Sequence, residues 1–474
     1  MAGVSAKVAV AAGVVALGAA GWLGASVYTG RSVQALLADL AADDPAAKGL
    51  SFGQLRHETG LLASSGQVNV LWREACGAPG GRAAQQALEV SYEVSHLIGP
   101  DGLARFSWKA KPTGEAGAAL ARVFGQEARL SGEGKVTFGS VVQSSVSMPE
   151  LVASLPASGS PQPGEVRLAA ASGRLQFDRQ ALSIDLGSPR LLLQGAGQAV
   201  ELKGIALDVD LSDRARGLGT LALSAEAFSA GRVSGEGLRL ASSVAERGDR
   251  IDILFSPSVR EVRAGEPIAR QMDLEFGLRN LHAPSLRTLE SLLTESCDLS
   301  ELPEPSRARL GEAIRTLLAQ GFSAGVSRLK GGLREGSVDG RLDIELKPSG
   351  PAPAAPDALG ARLRASGELN LAGALLPAPQ KQMLLSMGIA TESGGGLKAS
   401  FEYGDGVLRA NGRTLDAALA SGAIATLERG LASLTRLQPK RRDEEGHEAG
   451  EQKADAPPTA GPGGVAVPVP GAKF

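Results

Sequence analysis

Two short stretches constrain this chain more than anything else in it. In IALDVDL, Ile205, Leu207, Val209 and Leu211 alternate with Asp208 and Asp210. In VDGRLDIELK, Val338, Leu342, Ile344 and Leu346 alternate with Asp339, Arg341, Asp343, Glu345 and Lys347. A period of two with one wet side and one dry side is the pattern of an antiparallel strand. The same alternation runs through Val68, Val70 and Trp72, and again through Leu88, Val90, Tyr92 and Val94. Each such strand must hide one face.

Helical periodicity is scarce by comparison. Pro284 opens a segment, near 284–295, with Leu286, Leu289, Leu292 and Leu293 on one side, and Pro305 opens another, near 305–320, with Leu310, Ile314, Leu317 and Leu318, closed by Gly321. A shorter helix is expected near Gln380 to Met387, and a final one over 415–437. These are too few to cover so many one-faced strands, so the fold class is α+β. We expect a long curled antiparallel sheet, or two facing sheets, with a few capping helices. The dry faces then either meet in a closed core or line a groove.

Four phrases recur: GKVTF from Gly134, GRLQF from Gly173, GRLDI from Gly340 and GELNL from Gly367. Each reads as a turn leading into a strand, and their irregular spacing argues for strands added to one sheet, not for a solenoid.

The run Val8 to Tyr28 carries no charge and, at 1.5 Å per residue, makes a helix of about 30 Å, enough to cross a bilayer's hydrocarbon core. Lys7 precedes it, so residues 1–7 are expected in the cytoplasm and the body, 29–438, on the far side. A cleaved signal peptide is the rival reading, with Gly18 and Ala20 as its small-residue cleavage site. Ala12, Ala16, Ala20 and Gly24 recur every four residues and form a smooth stripe suited to a helix dimer, and the bilayer itself is the first expected partner. Beyond the run, Val33, Leu36, Leu37 and Leu40 extend a helical pattern outside the membrane. Residues 439–474 combine mixed charge, Pro and Gly with few large apolar side chains, and are expected to be disordered.

A net charge of −2 gives no long-range attraction to nucleic acid, which we exclude as a partner. Cys76 and Cys297 are the two cysteines; in an oxidising compartment they can pair, although the sequence does not place them within bonding distance. Neither they nor the histidines at 57, 96, 282 and 447 have metal-ligand spacing. GLGTLA at Gly217 has the letters of a phosphate-binding turn but leads into a strand, not from a strand into a helix. Asp208, Asp210 and Asp213 read as the solvated face of a strand, not as a calcium loop. No catalytic residue and no cofactor is assigned, and the chain is not expected to be an enzyme.

Three stretches carry a family likeness: YTGRSVQALLADL from Tyr28, LRHETGLLASSGQVNV from Leu55 and FEYGDGVLRANGRTL from Phe401 to Leu415. They resemble the YdgA-like family of bacterial envelope proteins; Thr59 and Leu62 depart from the Arg and Phe usual there. The resemblance implies an anchor in the bacterial inner membrane, a single pass and a β-rich periplasmic body, and it supplies no catalytic residues. The sheet also looks like that of AsmA-like lipid-trafficking proteins, an analogy of fold alone. The expected function is a membrane-anchored protein that holds or passes apolar, lipid ligands along a groove; the alternative is a structural or adaptor protein of the envelope with a closed β core.

Overall fold

In a computed structural model, the described residues are 50–415 other than 61, 74–84, 97–101, 115–117, 119–128, 156–163, 179, 196–197, 215, 296–301 and 350–358, together with 422. The transmembrane run Val8 to Tyr28, its Ala12, Ala16, Ala20 and Gly24 stripe, Cys76, Cys297 and the tail 439–474 lie outside them. So does the helix over 415–437, apart from residues 415 and 422. The chain divides into two units after Leu437, and all described residues belong to the first. Among the described residues, no helix is long and apolar enough to cross a membrane.

The strands are β1 (Leu50–Thr59), β2 (Ala63–Arg73), β3 (Gln85–Ser95), β4 (Ala104–Thr113), β5 (Leu130–Val136), β6 (Val142–Met148), β7 (Leu151–Leu155), β8 (Gly164–Leu168), β9 (Ala171–Phe177) and β10 (Leu182–Gly195). They continue as β11 (Gln198–Asp213), β12 (Leu218–Ala230), β13 (Val233–Arg247), β14 (Arg250–Ala264), β15 (Glu266–His282), β16 (Phe322–Leu333), β17 (Gly336–Leu346), β18 (Leu363–Gly373), β19 (Thr391–Ser393), β20 (Gly396–Gly404), β21 (Val407–Ala410) and β22 (Arg413–Thr414). Among the described residues four helices join them: α1 (Ala283–Glu295), α2 (Glu304–Gln320), α3 (Leu359–Arg362) and α4 (Ala378–Ser386). The expected pair around Cys297 and the shorter helix after Pro377 are therefore present as α1, α2 and α4.

All the strands belong to one antiparallel sheet in near-sequential order. β7 continues the line of β6, and β8 that of β9, so both hairpin arms bend at a two-residue break without losing register: Met148 pairs Ala171 and Leu151 pairs Leu168. Following the pairings from β1 to β20 takes sixteen steps. At about 4.8 Å per strand the ladder runs roughly 75–80 Å.

The recurring glycines are not turn exits. Gly134, Gly173, Gly340 and Gly367 sit inside β5, β9, β17 and β18. Register places all four on the same face of the sheet, and each is crowded by the neighbouring strand. A Cβ on Gly134 would overlap the Phe106 ring, one on Gly367 the Phe401 ring, and one on Gly173 the backbone of Asp185 and Leu186. The same pairing puts Tyr92 over Gly66, Trp108 over Gly132 and Phe228 over Gly235. In a chain this poor in aromatics, a cross-strand ring covers the backbone that the missing side chain leaves bare.

The most completely buried large apolar side chains, Leu292 and Leu302, lie at the helical cap. Leu292, Leu302 and Leu310 form one cluster with Leu289 and Ile314 against it; Ile251, Leu281 and Ala283 form another with Leu286, Leu317 and Phe322. Arg362 closes the joint. Its Nε donates to the Lys347 carbonyl at 2.8 Å and a terminal nitrogen donates to the carbonyls of Lys347 and Leu318, both at 2.5 Å, so α3 covers acceptors left by the end of α2. Burial lowers the Arg362 pKa from its usual value.

Candidate functional site: one apolar face of the sheet

Because partners across a strand pair share a face, the register sorts side chains. Ile184 pairs Val209, which pairs Leu221; Leu186 pairs Leu207, which pairs Leu223, which pairs Leu240. The same face continues through Phe255 and Phe276, packed edge-on at 5.2 Å, then Leu278, Ala324 and Ile344, and through Leu342, Gly367 and Phe401. The opposite face carries Asp185, Asp208, Asp210, Asp343, Ser366 and Glu402. The alternation read from the sequence thus holds across the ladder.

The apolar face is not sealed. Next to α1 and α2, Ile251, Leu281 and Leu346 are buried, but away from the helices Leu221 is 45% exposed, Leu223 43%, Phe276 43%, Leu278 40%, and Leu369 and Phe401 37% each. Leu207 and Ile344 are only partly buried. A closed sandwich core would cover these side chains.

Along one side the strip ends at a line across the sheet: Pro189, Gly204, Glu226, Gly237, Arg260 and Gln271 on β10 to β15. Gly204, Gly237 and Gln271 have φ of 57°, 66° and 49°, and the side chains of Glu226 and Arg260 lie over the two glycines. Past this line the apolar face becomes charged. Arg190 pairs with Glu201 at 2.6 Å, Lys203 with Glu201 at 3.4 Å, and Arg263 and Arg270 with Glu261. Leu191, Leu202 and Phe228 occupy the other side there. The strip therefore has a polar border.

At the β1 end the same face becomes hydrogen-bonding. His57 Nδ1 and the Tyr92 hydroxyl share a hydrogen bond of 2.9 Å, Trp108 Nε1 donates to Ser144 Oγ at 2.8 Å, and Ser64 Oγ and His96 Nε2 lie 2.7 Å apart. His96 is fully buried and Ser64 nearly so, and the far nitrogens, His57 Nε2 and His96 Nδ1, have no partner among the described residues. The Ser64 and His96 pair has the letters of a nucleophile and base, but Ser64 is 3% exposed and no carboxylate is seen to orient the imidazole, so it reads as a satisfied buried hydroxyl. Sequence reading missed this cluster; its only signal was the polar interruption of an apolar face at Ser64 and His96.

Burial lowers the pKa of His57; burial, and then the nearby His57, lowers that of His96; burial raises Tyr92. Both histidines thus take up a proton less readily in the fold than in the unfolded chain, where they do so near pH 6.5. Stability is fully present above that pH and falls as pH drops through 6.5 toward the folded values, by at most about 1.4 kcal/mol per pH unit for each histidine. The carboxylates with lowered pKa, such as Glu312 and Glu368, act in a separate, more acidic window. We expect the melting temperature to fall between pH 7.5 and 5.5, and His57→Gln to flatten that slope; an unchanged slope would contradict the assignment.

Hollows on the other face are polar. One of about 570 Å³ is lined by Asp273, Arg328, Lys330, Asp339, Arg341 and Glu368. Glu368 there is held first by Lys398 at 2.5 Å and then by Arg341 at 3.2 Å, which lower its pKa. Asp208 and Asp210 lie on the exposed polar side of β11, and among the described residues no group of three or more His, Cys, Asp or Glu is placed to hold a metal.

These features define a β-rich, single-sheet protein with one long apolar face. Its sequence matches the profile of a bacterial family of unknown function, DUF945, over residues 6–418, and the chain belongs to that family. No curated protein and no solved structure matches it.

Proposed function

We propose that this chain holds lipids by their apolar chains along the exposed face of its sheet, and does so from the bacterial inner membrane, with Val8 to Tyr28 as anchor and the body in the periplasm. The observation that carries the reading is the exposure of Leu221, Leu223, Phe276 and Leu278 on one continuous face. Burying a Leu or Phe side chain is worth roughly 1.5–3 kcal/mol, so a strip of them left half in water is stabilised by any apolar chain laid along it. A ladder of roughly 75–80 Å is more than twice the thickness of a bilayer's hydrocarbon core, about 30 Å, and has room for several acyl chains. The charged border at Arg190, Glu201 and Lys203 suits the polar ends of such molecules. A closed structural or adaptor core, the alternative, lacks this support because it requires those same side chains to be covered.

The test is native mass spectrometry of the protein extracted from membranes in detergent, followed by lipid analysis, for wild type, Leu207→Asp and Ile344→Asp. Both variants should fold and carry at least about five-fold less lipid, since each places a charge in the middle of the strip. Wild-type protein free of lipid, or variants that fail to fold, would favour the closed core. Release of the chain by alkaline wash would remove the anchor from the reading.

A further inference from the structure

Helix α4 has no buried residue. Its outward side, Pro379, Gln382, Met383, Ser386 and Met387, which lies just past the helix, carries no charge, and Met383 and Met387, one turn apart, are 53% and 51% exposed. Its one charged residue, Lys381, is neutralised by Glu392 at 2.8 Å. Two neighbouring hairpin ends on the same edge of the sheet behave alike. Gly336 pairs Gly373, which places the β16–β17 turn beside the exit to α4, and Ala269 pairs Leu333, which places the β14–β15 turn beside that. Leu333 and Ile268 at these ends are each 39% exposed. Their flanking cations are also paired, Arg334 with Glu266 at 2.8 Å and Arg270 with Glu261 at 3.7 Å.

We propose that this row, Ile268, Leu333, Met383 and Met387, is a surface that dips into the interfacial zone of a lipid bilayer. Successive ends lie two strands apart, about 10 Å, and each offers one or two apolar side chains among charges that cancel along the row. A folded protein would have to match that spacing, whereas a bilayer is apolar at every point along the row. Methionine, unbranched and polarizable, suits a partner without fixed shape. The flanking charges cancel overall, since Arg334 faces Glu266 while Arg263 and Arg270 share Glu261 and Glu335 at the β16–β17 turn has no ion partner among the described residues, so attachment is driven by apolar insertion and does not depend on anionic lipid. The inference rests on the lipid-holding reading and adds the source to it: the row lies where the apolar strip, through Leu369 and Leu371 of β18, reaches the edge of the sheet.

The experiment holds the purified full chain, with its apolar run Val8 to Tyr28 covered by amphipol so that the anchor cannot insert, on beads through a C-terminal tag and measures capture of fluorescent phosphatidylethanolamine and phosphatidylglycerol vesicles. The double variant Met383→Asp with Met387→Asp should capture at least about five-fold fewer vesicles, and Met383→Leu with Met387→Leu should capture as many as wild type. Capture by the aspartate variant within about two-fold of wild type, or none by wild type, overturns the proposal; so does loss of capture in moderate salt, which would indicate an electrostatic partner. Lipid that co-purifies should be the same in the aspartate variant, and Leu207→Asp should capture vesicles normally while losing that lipid. The two readings therefore fail separately.

Discussion

Leu292→Ala should destabilise the protein by about 3–5 kcal/mol, the upper part of the range for buried leucines. Leu292 has no exposed surface and packs with Leu302, Leu310, Leu289 and Ile314 between α1 and α2. That cluster is small and bounded by helices whose ends are fixed: Arg250 donates to the Gln320 side chain at 2.8 Å, and Arg362 to the Leu318 carbonyl. A cavity there cannot collapse without moving α2, so its cost persists. The contrast is Leu223→Ala. That residue has the same chemistry on the middle of the sheet, but at 43% exposure it keeps much of its water contact in the fold. Its truncation should cost under about 1 kcal/mol, since little apolar area is lost and no cavity forms. Denaturant unfolding of both variants measures the difference directly. Equal losses would mean that the sheet face is sealed.

The same contrast explains what could be read in the sequence. Alternation at Ile205 to Leu211 and at Val338 to Leu346 depends only on the two-residue period of a strand, and the observed register keeps those apolar residues on one face. The helices around Pro284 and Pro305 were legible because proline at a helix start and a leucine stripe are local signals. Whether the apolar face is open was not legible: Leu223 and Leu281 look alike in the sequence, and only the position of α1 and α2 buries one and leaves the other in water. The glycine phrases misled for a related reason. Gly134 and Gly367 are glycine because a ring from the next strand lies over them, and that ring, Phe106 or Phe401, is about thirty residues away in the chain. The line through Gly204, Gly237 and Gln271 likewise joins strands whose shared property, a left-handed backbone, leaves no pattern in residue type when glutamine supplies one member. Methionines 383 and 387 read as an ordinary short helix because exposure is not a local quantity.

Asn411→Ala should cost about 3 kcal/mol, from one side chain at the far edge of the sheet. An edge strand presents unpaired backbone groups and invites pairing with other chains. Here β20 is closed in three parts. β19 pairs with Gly396 to Lys398, β21 pairs with Phe401 to Gly404, and Ser400 between them is held by Asn411. The Ser400 N–H donates to Asn411 Oδ1 at 3.0 Å and the Asn411 N–H to the Ser400 carbonyl at 2.8 Å. The amide nitrogen donates to the carbonyls of Gly388 at 3.1 Å and Ile389 at 2.9 Å, tying the segment after α4 to the same point. Asn411 and Gly412 form the two-residue turn between β21 and β22 with φ of 47° and 77°, a conformation asparagine adopts readily and alanine does not. Alanine therefore loses side-chain partners for half-buried groups, about 1–3 kcal/mol, and adds about 1 kcal/mol of backbone strain. Asn411→Gly removes only the first contribution and should be the milder variant by about that 1 kcal/mol. Asn411→Asp keeps the acceptor for Ser400 but sets a carboxylate against the two carbonyls, so its stability should recover as pH falls and the group takes up a proton. Thermal unfolding of the three variants at pH 7.5 and pH 5, read together with size-exclusion chromatography, checks the order Gly above Ala and the acid recovery of Asp; a monomer unchanged in melting temperature in all three would show that the edge is closed by something other than Asn411.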